Sequence, residues 1–198
     1  MKETVSFNTR TIIQAINVLS KNKNMRYLNR EKLELLFWAI DRLHIRYGGR
    51  SFTKGTYVLL SGFPTTLLVH NLIYQFGDPH DPNTMYLNEN VIFDDEGMLQ
   101  EVRENQTDHL SEVNIMLINK VADHFGDYTA QDMINLAQQY PETKPTESMI
   151  IDTKLFFEDP DLENDFFQVY QELLESAQWT YNEIEQLSEE TGINFHTK

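Results

Sequence analysis

Hydrophobic residues recur at helical spacing in several segments of the chain, and the most apolar segment runs from Glu31 to Tyr47. Further apolar residues lie off its main stripe, so we expect this helix to have packing partners on more than one side. Asn29 is expected to cap its start, and Gly48-Gly49 is expected to end it. The main stripe combines Leu33, Leu36, Phe37, Ile40, Leu43 and Tyr47.

Four further helices are predicted in the first 141 residues. They cover Thr9–Ser20, Thr65–Phe76, Ser111–Phe125 and Thr129–Tyr140. Asn8, Ser111 and Thr129 are expected to cap the first, third and fourth of these helices, and Thr129 forms a capping pair with Asp132. Pro64 is expected in the first turn of the helix Thr65–Phe76.

Short runs of strand-forming residues predict a small antiparallel β-hairpin in the middle of the chain. Its strands are expected at Met85–Leu87 and Val91–Phe93, joined by residues 88–90. A third run, Tyr57–Leu60, could pair with this hairpin. Residues 98–108 are predicted to be an exposed connector.

The segment Pro141–Thr146 is typical of a linker, so two units are predicted, a domain at 1–141 and an acidic, aromatic-rich extension at 142–198. Extended runs are expected at Met149–Ile151 and Leu155–Phe157, and an amphipathic helix is expected after Asp159-Pro160. Its aromatic stripe either packs on the main domain or anchors a partner protein, and both interpretations are open. The residues considered as anchors are Phe166 and Tyr170.

The predicted fold class is therefore mainly α (α+β). We expect a compact bundle of about five helices with a small antiparallel β-hairpin, followed by an acidic C-terminal helical extension. The chain of 198 residues is long enough to bury its own core.

Charge is unevenly distributed along the chain, whose formal net charge is −15. Residues 1–77 carry 11 Lys and Arg against 4 Asp and Glu, whereas residues 146–198 carry 2 against 13. This balance disfavours nucleic acid and favours a basic partner, although solubility alone could explain it. No secretory signal or membrane-spanning segment is evident, so we expect a cytoplasmic protein without membrane contact.

No catalytic residue, metal or cofactor is predicted from the sequence. The chain has no cysteine, and its six histidines never pair at a spacing of three or four residues, which argues against a zinc site. Asp41 and His44 lie one helical turn apart and could form an acid–base pair. We favour the alternative, in which they form a polar seam that orients the helix.

The order of elements from Glu31 to Phe93 is similar to that of a winged helix, which makes a DNA-binding regulator the main alternative function. The helix expected to read bases, Thr65–Phe76, contains no Lys or Arg, and the expected wing is acidic. An enzyme of unknown type is a weaker alternative.

Several motifs in the first 141 residues resemble the Panacea domain, the SocA-like antitoxin domain that is also known as a phage-associated protein family. The first motif corresponds to Leu35–Ala39, Asp41, His44-Ile45, Tyr47-Gly48, Arg50 and Phe52. A later motif corresponds to Gly62-Phe63-Pro64, in which the first proline of the family pattern is missing. A third segment matches from Leu110 to Leu136, and the resemblance covers roughly residues 8–141.

This resemblance implies a non-enzymatic antitoxin that neutralises a cognate protein toxin by direct binding. Carried over position by position, it nominates Tyr47, Arg50, Phe63 and Pro64 for partner binding. The acidic extension is expected to add charge attraction. Formation of a homo-oligomer is left open.

Overall fold

A computed structural model of the protein describes residues 5–74, 78–144, 148–160 and 165–192. Seven α-helices and two antiparallel strand pairs occur in these residues, which confirms the predicted mainly α class. The helices are α1 (Phe7–Lys21), α2 (Arg30–Gly48), α3 (Leu67–Tyr74), α4 (Pro82–Asn90), α5 (Glu112–Phe125), α6 (Ala130–Ala137) and α7 (Gln171–Thr191). The strands are β1 (Tyr57–Leu60), β2 (Phe63–Thr66), β3 (Val91–Phe93) and β4 (Leu99–Val102).

Helix α2 lies at the centre of the molecule, as its apolar circumference predicts. It contacts α3, α5, α6, α7 and β2, and its residues from Lys32 to Leu43 are buried without a break. Asn29 caps it by accepting a hydrogen bond from the backbone N–H of Lys32, and Gly49 ends it in the left-handed conformation. Both predicted boundaries are therefore confirmed.

Local capping signals also fix other helices. Ser111 caps α5, and Thr129 with Asp132 forms a reciprocal capping box at α6, as predicted. The expected cap of α1 is wrong, because Ser6 accepts the hydrogen bond from the Thr9 N–H and the helix starts at Phe7.

The predicted β-hairpin is wrong in its pairing. Residues 85–87 belong to α4, which is capped by Asp81, and β3 pairs instead with β4, inside the predicted connector. Strand β1 pairs with β2 through a two-residue turn, in which Ser61 and Gly62 both have positive φ angles. Pro64 consequently lies in β2, opposite Leu59, and not in a helical turn.

The predicted linker is wrong at its beginning. Pro141–Thr143 forms a buried 3-10 turn, and residues 145–147 lie outside the described residues. The extended run expected at Met149–Ile151 is confirmed, since Ile150 forms a β-bridge with Val58 of β1. The extended run expected at Leu155–Phe157 is wrong, because Thr153–Phe157 is a second 3-10 segment. Helix α7 starts at Gln171, later than predicted. The division into units at 141/142 stays a prediction.

Residues beyond the predicted boundary contribute to the same hydrophobic core as the first 141. The buried apolar side chains from this part are Ile151, Phe156, Phe157, Phe167, Leu174, Ala177 and Tyr181. Phe167 makes edge-on ring contacts with Trp38 of α2 and with Tyr140. One continuous core therefore holds α7 against α2.

Candidate functional site

Helix α7 presents the most acidic surface of any described helix. It carries six Glu and no Lys or Arg, and its buried side is formed by Leu174, Ala177, Tyr181 and Ile184. Trp179 falls between two of these positions, so its indole points away from the core and is 65% exposed. Glu175 and Glu183 lie one turn before and after it on the same face. We call this surface the α7 outer face.

Continuation of the apolar stripe of the predicted C-terminal helix through Trp179 would bury this residue, whereas the structure leaves it exposed. The signal was present in the spacing. The buried positions repeat at intervals of three and four residues, and Trp179 is two residues away from both Ala177 and Tyr181. A large exposed aromatic ring among carboxylates is a suitable anchor for a protein partner.

Two buried arginines of α2 fix the segment that leads into α7. Arg42 donates hydrogen bonds of 2.7 Å to both carboxylate oxygens of Glu142, and both side chains are fully buried. Burial raises the pKa of Glu142, and the Arg42 guanidinium opposes that rise. Arg46 donates to the carbonyls of Phe156 and Phe157 and pairs with Asp159. The start of the acidic segment is therefore rigidly attached.

Close backbone packing fixes α7 itself. Gly49, just after α2, has a φ of +67°, and a Cβ there would lie 2.3 Å from the carbonyl oxygen of Ala177. At the other side of the contact, the Tyr181 hydroxyl lies 2.5 Å from that of Thr153, and Lys154 pairs with Glu185 at 2.7 Å. The orientation of the α7 outer face is thus set by contacts on its opposite side.

The six residues predicted for partner binding occupy different environments. Tyr47 and Phe166 come together, because the ammonium of Lys120 lies 5.4 Å from each ring centroid and Phe166 stacks on His124. Tyr170 is 84% exposed just before α7.

The remaining three predicted residues lie elsewhere. Arg50 is exposed in the loop after α2. Phe63 and Pro64 are buried in β2. A partner could contact Phe63 and Pro64 only if β2 were uncovered. The binding role of all six residues stays a prediction.

The proposed Asp41–His44 pair does not form. Asp41 is completely buried and accepts hydrogen bonds from the side chains of Ser51, Thr53 and Tyr57 and from the N–H groups of Phe52 and Thr53. Burial raises its pKa, and the bonds from Thr53 and Tyr57 oppose the rise. Asp41 therefore organises the loop after α2.

His44 packs against the ring of Phe52, and burial lowers its pKa to about 4. The imidazole is thus neutral at physiological pH. The favoured interpretation, a polar seam of Asp41 and His44 that orients the helix, is not what the structure shows. Asp41 bonds the loop after α2, whereas Arg42 and Arg46 bind the C-terminal segment.

A second buried carboxylate, Glu34, accepts a hydrogen bond from the Thr65 hydroxyl at 2.9 Å and lies 2.8 Å from His70 Nδ1. Burial raises the pKa of Glu34, while His70 and Thr65 lower it. This contact joins α2 to β2 and α3. Within the described ranges, no group of three His, Asp or Glu side chains is arranged to hold a metal ion.

The features required for the winged-helix alternative are also altered. The helix expected to read bases begins at Leu67 of α3, two residues later than predicted, and its expected residues 75 and 76 lie outside the described residues. Helix α4 stands in the chain between α3 and the β3–β4 pair. The turn of that pair is organised by Asp94, which accepts hydrogen bonds from the N–H groups of Glu96 and Met98. Among the described helices, none is long and apolar enough to cross a membrane.

Comparison with known protein families gives a match to the central part of the chain. A family described as antitoxin SocA-like, Panacea domain, matches residues 33–142, more than half of the chain. The match starts in α2 and ends at Glu142, the buried partner of Arg42. No curated protein and no solved structure matches the chain.

Proposed function

The chain belongs to the SocA-like Panacea domain family of antitoxins, and from this membership we propose that it neutralises a cognate protein toxin by direct, non-covalent binding. The proposed partner surface is the α7 outer face, and the exposed indole of Trp179 is the observation that carries this assignment. The proposed role is not enzymatic, and the cell compartment we propose is the cytoplasm.

Charge and shape have separate tasks in this proposal. The carboxylates of α7 attract a basic toxin surface and speed the encounter, with an effect that weakens as salt is added. The indole supplies affinity by filling an apolar pocket on the toxin, because buried aromatic anchors carry most of the energy of an interface. The rigid attachment of α7 limits the entropy lost on binding.

The function is tested with the protein encoded by the neighbouring open reading frame. We expect its expression alone to arrest growth, and co-expression of this chain to restore growth. The two purified proteins should co-elute on size-exclusion chromatography. A neighbour that is not toxic, or a rescue that occurs without complex formation, would contradict neutralisation by direct binding.

The surface is tested with matched variants. Trp179→Ala should weaken the complex at least tenfold, as expected for an interface anchor worth about 2 kcal/mol or more. Tyr27→Asn is the control, since Tyr27 is also a largely exposed aromatic residue, lies before α2, and has a positive φ that Asn tolerates. Equal affinity of the Trp179→Ala and Tyr27→Asn variants would exclude the α7 outer face.

The charge contribution is tested by removing two carboxylates in each of two places. Glu175→Gln with Glu183→Gln should lower the association rate several-fold at low salt and leave it nearly unchanged at high salt. Glu89→Gln with Glu96→Gln removes the same charge from exposed positions near the β3–β4 pair. If both double variants slow association equally, net charge alone is responsible.

A further inference from the structure

The loop between α2 and β1 carries two cationic side chains that have no carboxylate partner among the described residues. Arg50 is exposed and makes no hydrogen bond or ion pair within the described part of the chain. The ammonium of Lys54 lies 5.6 Å from the ring centroid of Phe7 and forms no ion pair with any described residue.

Both cations line one pocket of about 350 Å³, a volume within the range of small-molecule sites. The other lining residues that matter here are Phe7, His44, Phe52 and His109, and the described lining includes no Asp or Glu. Asp108, next to His109 in sequence, accepts a 2.6 Å hydrogen bond from Gln14 and lies 3.9 Å from His109 Nε2.

The loop that carries the cations is held rigidly. Asp41 accepts five hydrogen bonds from its residues and from Tyr57, and the Ser51 hydroxyl accepts one from the N–H of Lys54. Lys54 adopts a φ of +54°, an unfavourable conformation for a residue with a Cβ. Such strain is tolerated when surrounding contacts impose it, and it is concentrated at functional sites.

The N-terminus of α5 reaches the same pocket. Ser111, its cap, and Asn114, in its first turn, are both lining residues. The dipole at the start of this 14-residue helix favours an anion, although the Ser111 cap already accepts the N–H of Asn114 and Glu112 lies in the first turn. His44 also lines the pocket, and its buried Nε2 has no hydrogen-bond partner among the described residues.

We propose that this pocket binds the phosphate monoester group of a small molecule. Two cations and a helix N-terminus match a dianion, and arginine and lysine are both common phosphate ligands. The rings of Phe7 and Phe52 provide an apolar wall for the remainder of the ligand. The pocket and the α7 outer face involve different elements, so this proposal does not depend on toxin binding.

Titration calorimetry of the full chain at low salt tests the site, with inorganic phosphate and adenosine 5′-monophosphate as probes. The double variant Arg50→Gln with Lys54→Asn should raise the Kd at least about tenfold, because it removes both charge-assisted contacts to the phosphate. Asn is used since it tolerates the left-handed conformation of Lys54.

Matched controls distinguish a site from diffuse attraction. Lys21→Asn with Arg103→Gln removes equal charge from exposed positions outside the pocket and should change the Kd less than twofold. Adenosine, which lacks the phosphate, should not bind. Three results would overturn the proposal. Phosphate could fail to bind at about 10 mM, a weak-affinity limit. The two double variants could lose the same affinity, or adenosine could bind as tightly as adenosine 5′-monophosphate. If the double variant does not fold, Arg50→Gln alone replaces it, because Arg50 is exposed, and this variant should also raise the Kd for phosphate.

Discussion

Replacement of Glu142 by Gln is expected to destabilise the whole protein, because it leaves the charge of Arg42 buried without its counter-ion. Both side chains are fully buried, and two hydrogen bonds of 2.7 Å join them. Removing one partner of a buried ion pair costs about 3–5 kcal/mol. Proteins of this size have a total stability of about 5–15 kcal/mol, so the loss should be large.

The size of the loss is reduced by the contacts that remain. Arg42 would still donate to the carbonyl of Glu158 at 2.6 Å, and its guanidinium would still lie 4.4 Å from the ring centroid of Tyr140. The carbonyl oxygen of the introduced amide could also accept the hydrogen bond that the Trp38 indole now donates to Glu142. We therefore expect a loss near the lower end of the range, about 3 kcal/mol.

Urea unfolding followed by circular dichroism measures this loss. Glu101→Gln is the matched control, because Glu101 pairs with Arg103 at 3.0 Å in an exposed position, where an ion pair contributes at most about 1 kcal/mol. The double variant Arg42→Met with Glu142→Leu should recover part of the loss, since it removes both buried charges.

The alternative outcome would refute the reasoning. If residues around 142 formed a flexible linker, Glu142→Gln would cost no more than Glu101→Gln. A separate unfolding transition for the acidic segment would likewise contradict the shared core, because one cooperative unit gives one transition.

Three further predictions concern packing, pH and a buried hydrogen bond. Gly49→Ala should lower the free energy of unfolding in urea by more than about 2 kcal/mol, because the new Cβ would strain the left-handed backbone and collide with α7. Gly48→Ala is the control, since its Cβ meets no atom within 4 Å, and it should be neutral or stabilising. Because burial lowers the pKa of His44 from 6.5 to about 4, this histidine is protonated in the unfolded state before it is protonated in the folded state, so the free energy of unfolding should fall as the pH drops from 6.5 towards about 4. His44→Asn should remove up to about 3 kcal/mol of this pH dependence. An unchanged pH profile of the unfolding free energy in that variant would refute the prediction. Tyr57→Phe removes a hydroxyl that donates to Asp41 and should cost about 1–3 kcal/mol. Tyr128→Phe is the control, because the hydroxyl of Tyr128 makes no hydrogen bond to any described residue, and it should cost less than about 0.5 kcal/mol by the same unfolding assay.

The sequence by itself determined the features that depend on neighbours within one or two turns. Asn29, Ser111 and Thr129 satisfy backbone N–H groups only three residues away, so their caps could be read directly. The continuous apolar character of α2 predicted its central place for the same reason. The family motifs from Leu35 to Leu136 likewise led to the family that the comparison shows.

Tertiary structure decided the features that depend on distant partners. Residues 85–87 are too short a run to distinguish a helix from a strand by periodicity, and the helix that contains them, α4, is joined to the start of α1 by hydrogen bonds from Ser6 and Thr9 to Asn83. Glu142 became part of the core because Arg42, 100 positions earlier, needed a counter-ion there. The face of α7 that remains outside was set by its contact with α2, since helical periodicity places side chains around an axis but does not choose which of them a neighbour will cover.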